Sequence, residues 1–204
     1  IQVLYLAVEP AMRGWMENRA DYVAPLELGD IMRGYGTGRI IESNNSDYPV
    51  GTHVSGSFGW QEFLVSDGNN VPLQRVADDI DLPAAMGLLG VTGLTAYFGL
   101  NDIGQPQAGD TILVSGAAGA TGSVVVQLAR IAGCRVIGMA GSQEKCDWVT
   151  DELGAQACIN YREDDVKAEV KRLCPDGINI YYDNVGGEIL DIALANIATN
   201  ARVV

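Results

Sequence analysis

A glycine-rich stretch in the middle of the chain has the residue types and spacing of a dinucleotide-binding loop. Residues 113–129 read LVSGAAGATGSVVVQLA, so Ala117, Gly119 and Gly122 stand at the three positions of a G-x-G-x-x-G pattern. Glycine at position 119 lets the backbone approach a pyrophosphate, and glycine at position 122 permits close packing of helix on strand. The N-terminus of the following helix would offer unpaired N–H groups to the phosphates. Alanine replaces the tight-turn glycine, and we expect the turn to tolerate it because Gly116 precedes it.

The context of this loop favours a dinucleotide over other phosphate ligands. The loop follows a strand pattern, opens a helix pattern and lies inside a strand–helix–strand unit, as the binding mechanism requires. No Gly-Lys-Ser/Thr run follows it, which excludes the triphosphate-binding P-loop. No tyrosine is followed four residues later by lysine, the pairing expected of a short-chain dehydrogenase. A glycine-lined turn without a ligand is the remaining alternative.

The identity of the dinucleotide is decided at the end of the second strand of this unit. A site for NAD places Asp or Glu there, about 20 residues after the loop, to accept hydrogen bonds from the ribose 2′-hydroxyl. Here the sequence has Gly141 and Ser142, neither of which repels a 2′-phosphate. Lys145 falls in the first turn of the next helix, where a cation opposes the helix dipole unless an anion is bound nearby. We therefore predict NADP(H), bound with the help of Ser142 and Lys145; a solvated lysine paired with Glu144 is the alternative.

The histidine and cysteine residues that could hold a metal ion are few and scattered. A catalytic zinc needs three protein ligands from His, Cys or carboxylate side chains. The only histidine is His53, in the strand-like VGTHVSG, and we interpret it as a strand residue that faces solvent or a polar neighbour. The chain has four cysteines, Cys134, Cys146, Cys158 and Cys174. No two of them form a C-x-x-C pair. We expect free thiols and no metal site.

Two kinds of secondary-structure pattern position these residues. The first, residues 1–75, consists of short strands separated by turn residues, which predicts a small, largely antiparallel β domain. Its strand patterns are IQVLYLAV, GTGRIIES, GTHVSGSF and QEFLVSD. Residues 76–108 contain a Leu/Ala/Gly-rich stretch that is typical of helix and connects the two halves.

The second pattern, residues 109–204, alternates strand and helix. This alternation predicts a parallel sheet with helices on both faces and a ligand beyond the carboxyl ends of its strands. The predicted strands are TILVS, CRVIGMA, ACINY, INIYYD and the beginning of a fifth in ARVV. The predicted helices cover 121–132, 143–153, 163–173 and 187–199. The fold class is therefore α/β.

Composition excludes several classes of partner. A net charge of −13 and a pI near 4.3 argue against nucleic acid and against docking on an anionic membrane. We find no signal peptide pattern and no apolar run long enough to span a bilayer, and the free thiols fit a reducing compartment, so we predict a cytoplasmic protein. Because the chain starts at Ile1 and stops in the apolar run Ala201-Arg202-Val203-Val204, we expect it to be a fragment.

Six motifs together resemble the medium-chain dehydrogenase/reductase superfamily. They are EPAMRGWM, GLTAYFGL, GAAGATGSVVVQLA, GCRVIGMAGSQEKCDWV, INYREDDV and DNVGGEILD. More narrowly, they resemble its zinc-independent branch of NADPH-dependent 2-alkenal and prostaglandin reductases, which includes curcumin reductase and the plant double-bond reductases. The resemblance implies a Rossmann-type domain with a partial GroES-like β domain. It also implies hydride transfer from NADPH to a C=C bond conjugated to the carbonyl of a small enone or enal.

The resemblance assigns further site residues. It implies cofactor contacts at Lys145, Tyr161 and Asn184, and in the phosphate loop at Gly119, Ala120, Thr121 and Gly122. Zinc-dependent relatives carry a Gly-His-Glu run and a cysteine where this chain has Arg33-Gly34-Tyr35 and Val91. Tyr35 thus takes the place of a carboxylate, and in the double-bond reductases a tyrosine in this GYG setting contacts substrate. The phenol of Tyr35 is our catalytic candidate, as a donor to the substrate carbonyl; a packed turn tyrosine is the alternative.

Other functions remain open at this point. A quinone oxidoreductase of the same superfamily would share the loop and the missing zinc ligands. A nucleotide-binding sensor or structural protein without turnover would share the loop alone. Many members of the branch have tyrosine before MRG where this chain has Ala11, so the substrate preference is not fixed. The oligomeric state is not fixed either, and a homodimer stays open.

Overall fold

The computed structural model of the chain describes residues 1–17 and 24–204. The chain divides into two compact units, Ile1–Val91 and Thr92–Val204. The predicted division into residues 1–75, 76–108 and 109–204 stays a prediction. No helix among the described residues is long and apolar enough to cross a membrane.

The first unit contains a four-stranded antiparallel sheet. Its strands follow one another in the order β1 (Gln2–Leu6), β2 (Tyr35–Arg39), β3 (His53–Ser57) and β4 (Gln74–Arg75). The apolar side chains of Ile40, Val54 and Phe58 are buried and form its small core. Two short helices accompany the sheet, α1 (Ala11–Trp15) and α2 (Leu82–Met86). Three of the four strand patterns predicted for this region are confirmed.

The fourth predicted strand, QEFLVSD over residues 61–67, is wrong. This segment forms only an isolated bridge, between Phe63 and Gln2, and Val65 is 90% exposed. Just beyond it, the Asp67 carboxylate accepts hydrogen bonds from the backbone N–H groups of Asn69 and Asn70. This side-chain turn ends the extended segment.

The second unit is a five-stranded parallel sheet with helices on both faces, so the predicted α/β fold class is confirmed. The strand order is β7-β6-β5-β8-β9. From β5 the chain adds strands to one side as far as β7, and then β8 and β9 to the other side, so the order switches between β5 and β8. The strands are β5 (Thr111–Val114), β6 (Arg135–Ala140), β7 (Ala157–Asn160), β8 (Ile178–Tyr182) and β9 (Ile197–Val203). The helices are α3 (Val91–Phe98), which continues into π-helical Gly99–Gly104, α4 (Ala120–Ile131), α5 (Gln143–Asp151), α6 (Val166–Leu173) and α7 (Gly187–Leu194).

Side chains that alternate along the strands supply a core on each face of this sheet. On β5, Ile112 and Val114 pack with α4 and α5, whereas Leu113 packs on the other face with α6 and α7. All three are fully buried. This alternation follows from the two-residue period of a strand, and it explains why the parallel strands read as continuous apolar runs.

The last helix is shorter than predicted. The sequence pattern predicts a helix over 187–199, but α7 ends at Leu194 and β9 begins at Ile197. The side chain of Asn196 donates to the Ile192 carbonyl oxygen at 2.8 Å and so closes the final turn. The β-branched Ile197 and Thr199 then favour strand over helix. The predicted fifth strand is present and starts earlier than expected.

Candidate functional site

The turn between β5 and α4 shows why alanine is tolerated at the first position of the glycine pattern. Gly116 takes the left-handed conformation, with φ +59°, and Ala117 does not. The Ala117 N–H donates to the Met139 carbonyl oxygen at 2.9 Å, and its side chain is buried. A β-carbon built on Gly138 would lie 3.0 Å from the Ala117 methyl group, so the two residues pack closely. The residue of the turn that needs the left-handed conformation is therefore Gly116, one residue before Ala117, so alanine is not strained at position 117.

Gly122 is required by close packing. A β-carbon there would overlap the carbonyl oxygen of Gly116 and would lie 2.9 Å from the Cα atom of Ala117. Both obstacles are backbone atoms, which cannot rotate away. The predicted role of Gly122, to bring helix and strand together, agrees with this geometry. Gly119 is the N-cap residue of α4 in an extended conformation.

The first turn of α4 presents free N–H groups at the carboxyl end of β5. Ala120, Thr121 and Gly122 are its first three residues. In the described part of the chain, none of their N–H groups donates a hydrogen bond to another residue. Unpaired N–H groups and the positive end of the helix dipole together favour an anion at this point.

The corner between β6 and α5 carries the ammonium group of Lys145. Ser142 is the N-cap residue of α5, and its hydroxyl oxygen accepts a hydrogen bond from the Lys145 N–H at 3.4 Å. Among residues 1–17 and 24–204, no carboxylate forms an ion pair with the Lys145 ammonium. The pairing with Glu144 considered above is thus not formed. Asp147, also on α5, accepts a hydrogen bond from the Gln143 side chain at 2.7 Å and does not pair with Lys145.

Tyr161 covers the end of β6. A β-carbon built on Gly141 would lie 2.5 Å from the Tyr161 hydroxyl oxygen and 2.9 Å from Cζ of the same ring. The two residues are neighbours because β6 and β7 pair in parallel, with Ala140 opposite Asn160. The structure therefore brings Tyr161 to the strand end that also carries Ser142 and Lys145.

Asn184 lies on the other side of the glycine turn, at the point where the strand order reverses. Its backbone N–H donates to the Ser115 hydroxyl oxygen and its side-chain amide donates to the Ser115 carbonyl oxygen, both at 2.8 Å. Its Cβ atom is 3.4 Å from the place where a β-carbon on Gly116 would be. The loop after β8 is thus attached directly to the loop after β5, and ligands of open α/β sheets bind at this crevice.

Sequence reasoning missed Asp183, which holds this loop together. A single carboxylate oxygen, Oδ1, accepts four hydrogen bonds. The donors are the hydroxyls of Ser115 (3.1 Å) and Tyr181 (2.8 Å) and the backbone N–H groups of Val185 (3.1 Å) and Gly186 (2.8 Å). The signal in the sequence was an Asp at a strand end, three residues before a Gly-Gly pair, which is typical of a turn built on the Asp side chain.

The protonation of this cluster follows from its surroundings. Burial acts to raise the pKa of Asp183, but its hydrogen bonds outweigh burial and hold the pKa below its ordinary value. Burial raises the pKa of Tyr181, so its phenol stays protonated and donates to Asp183. The loop that carries Asn184 is therefore held by an ionised carboxylate.

The catalytic candidate Tyr35 is the first residue of β2, in the first unit. It is half-buried, and its hydroxyl donates to the Ser55 hydroxyl oxygen at 3.2 Å. His53 lies on β3, paired across the sheet with Arg39, and is also half-buried. Within the described ranges, no three His, Cys, Asp or Glu side chains lie together as a metal site requires. The cysteines among them are free.

Comparison with known proteins places the chain in a family. Residues 1–73 match the family described as the N-terminal domain of oxidoreductase, and residues 120–204 match the family described as zinc-binding dehydrogenase. The whole chain aligns with the NADPH-dependent curcumin reductase of Escherichia coli at 41% identity and with the NADP⁺-dependent 2-alkenal reductase of Nicotiana tabacum at 37%. The chain belongs to the medium-chain dehydrogenase/reductases.

Further comparisons place it within that superfamily, in the branch of the curcumin, 2-alkenal and prostaglandin reductases. Prostaglandin reductase 1 of Bos taurus is 39% identical over the whole chain. The crystal structure of CurA from Vibrio vulnificus in complex with NADPH superposes with a TM-score of 0.92 at 38% identity, and it covers 99% of this chain. The chain spans 59–60% of the length of these curated relatives and 60% of the CurA chain.

Proposed function

We propose that this medium-chain dehydrogenase/reductase reduces the activated C=C bond of α,β-unsaturated aldehydes and ketones with NADPH and without a metal ion. The observation that carries this proposal is the alignment of the whole chain, at 37–41% identity, with relatives named as NADPH-dependent curcumin reductase, 2-alkenal reductase and prostaglandin reductase. The residues of the described cofactor corner are consistent with it.

The residues present fit NADPH. The three free N–H groups at the start of α4 suit its pyrophosphate, and the unpaired Lys145 suits the phosphate on its adenosine ribose. Tyr161 and Ser142 would line that second phosphate, and Asn184 would meet the part of the cofactor that crosses from β5 to β8. When bound, NADPH supplies the hydride.

Tyr35 is the proposed electrophilic catalyst. As hydride reaches the β-carbon of an enone, negative charge develops on the carbonyl oxygen, and a hydrogen-bond donor at that oxygen lowers the barrier. In the structure, the Tyr35 hydroxyl donates to Ser55. A hydroxyl can both donate and accept, so Ser55 can turn its own proton toward Tyr35 and leave the phenol free to donate to substrate. Tyr35 would then do without a metal ion what a Lewis acid does in metal-dependent relatives.

The experiment that tests this function uses the full-length protein with NADPH or NADH and three substrates: an enal, an enone and an ortho-quinone. We expect NADPH to be consumed with the enal and the enone, more slowly with NADH, and equally fast after treatment with a chelator. Turnover of the quinone alone would support a quinone oxidoreductase instead, a class to which the chain is also similar, since a Pseudomonas syringae quinone oxidoreductase structure superposes with a TM-score of 0.66 at 28% identity. Tight binding of NADPH without any consumption would support a nucleotide-binding protein that lacks this activity.

Replacement of Tyr35 by phenylalanine tests the catalytic assignment. We expect kcat on an enone to fall about 100-fold, because removal of one donor to a developing oxyanion costs about that factor. The Kd of NADPH should not change. The matched control is Tyr5→Phe, the same chemical change at an exposed tyrosine on β1, which should leave kcat unaltered. Equal kcat values for Tyr35→Phe and Tyr5→Phe would remove Tyr35 from the mechanism.

A further inference from the structure

We propose that Arg162 is a second cation that recognises the 2′-phosphate of the cofactor, and that it acts with Lys145 to determine the preference for NADPH over NADH. This inference rests on the proposed function for its ligand. It concerns a residue to which the sequence alone gives no role.

The first argument is the position of the Arg162 side chain. Its Nε atom lies 3.5 Å from the point where a β-carbon on Gly141 would be, so the guanidinium group lies against the carboxyl end of β6. Position 141 is where an NAD site of this fold attaches its carboxylate. Here Tyr161 and Arg162 occupy that space from the neighbouring strand end. The place of the NAD-selecting anion is thus taken by a phenol and a cation.

The second argument is that the turn after β7 is built to hold this geometry. The side chain of Asn160 is buried, with 1% exposure, and its Oδ1 atom accepts a hydrogen bond from the Arg162 N–H at 3.2 Å. The same side chain donates to Glu163 at 3.1 Å, and the Asn160 backbone N–H donates to Asp164 at 2.8 Å. The buried Asn160 amide thus holds the backbone N–H of Arg162 and the carboxylate of Glu163.

The third argument is electrostatic. Glu163 and Asp164 are the acids next to Arg162 in sequence, and one oxygen of each is engaged by Asn160. In the described parts of the chain, Arg162 has no ion-pair partner, although the protein carries a net charge of −13. Arg162 follows β7 in the chain and is exposed beside the end of β6. Without a carboxylate partner, its planar guanidinium is suited to a phosphate, because it can bind two oxygens at once.

The test measures binding, not turnover, with nucleotides that differ only in the relevant phosphate. Calorimetry on the full-length protein would compare adenosine 2′,5′-bisphosphate with adenosine 5′-monophosphate, and NADPH with NADH. The variants are Arg162→Gln, Lys145→Gln and their combination. The matched control is Lys171→Gln, which removes one positive charge from an exposed residue of α6.

We expect Arg162→Gln to weaken binding of the 2′,5′-bisphosphate and NADPH about fivefold and to leave binding of the 5′-monophosphate and NADH unchanged, the size expected of one exposed cation on a phosphate. Lys145→Gln should have a similar effect, and Lys171→Gln none. If Lys145→Gln loses discrimination and Arg162→Gln behaves like Lys171→Gln, the inference about Arg162 is wrong while the proposed cofactor stands. If the wild type itself does not discriminate between the two nucleotides, the proposed cofactor fails, and the role of Arg162 fails with it.

Discussion

Replacement of Gly122 by alanine should abolish NADPH binding and lower the free energy of unfolding by about 3 kcal/mol. The new methyl group would overlap the Gly116 carbonyl oxygen and lie 2.9 Å from the Ala117 Cα atom. Since both obstacles are backbone, α4 has to move away from β5, which opens the turn and displaces the free N–H groups of its first three residues. The higher helix propensity of alanine recovers at most about 1 kcal/mol. Thermal unfolding and quenching of protein fluorescence by NADPH measure the two effects.

Gly14→Ala is the matched control for this substitution. Gly14 is also helical, has an ordinary φ, and nothing lies within 4 Å of the position of its β-carbon. Its replacement should shift the unfolding temperature by no more than a few degrees. The affinity for NADPH should stay the same. Equal unfolding temperatures and equal NADPH affinities in the two variants would show that Gly122 is not needed for close packing.

Replacement of Asp183 by alanine is expected to have the second-largest effect, a loss of about 3 kcal/mol in stability together with weaker NADPH binding. One carboxylate oxygen accepts four hydrogen bonds, and its removal leaves the hydroxyls of Ser115 and Tyr181 and two backbone N–H groups without that partner. Asn184, the next residue, shares Ser115 with this cluster and should lose its fixed position. Urea unfolding and the Kd of NADPH provide the two measurements.

Asp183→Asn separates the charge from the acceptor and gives a pH dependence with a defined sign. The amide keeps an oxygen at the position of Oδ1, so at pH 7 the loss should be only about 1 kcal/mol. In the wild type, the pKa of Asp183 lies below its ordinary value of 3.8, and the carboxylate therefore contributes stability above pH 3.8 that is lost as the pH falls through the folded-state pKa. The advantage of the wild type over Asp183→Asn should shrink in acid. An advantage that stays constant down to pH 2 would show that the charge does not stabilise the loop.

The parts of the fold that follow from local pattern could be predicted, and those that depend on distant partners could not. The parallel strands are continuous apolar runs, and α4 has an apolar face, so the alternation of strand and helix was readable from the sequence. The segment 61–67 has the apolar content of a strand, but it forms only an isolated bridge, and the side chain of Asp67 organises a turn directly after it. In the same way, Asn196 ends α7 before the periodicity of the sequence does.

The candidate site divides along the same line. Gly119, Gly122 and Lys145 have a motif or a helix position that gives them a physical role in the sequence itself. Arg162 has no such signal, and the sequence around Asp183 indicates only a turn, because the roles of both residues arise from strand pairing. Asp183 meets Ser115 across 68 residues of chain, and Arg162 reaches Gly141 only because β6 and β7 lie side by side. Sequence pattern alone cannot supply such neighbours.

The order of strands β7-β6-β5-β8-β9 has a consequence for how the protein is assembled on the ribosome. The glycine turn emerges early, and β6 and β7 can pair beside β5 as soon as they are made. The opposite wall of the crevice comes from β8, whose pairing with β5 closes a loop of more than 60 residues. A nascent chain that has just completed β7 therefore carries the glycine turn and the corner between β6 and α5, but not the opposite wall of the crevice. We therefore expect coenzyme binding only after β8 has been made and has paired with β5.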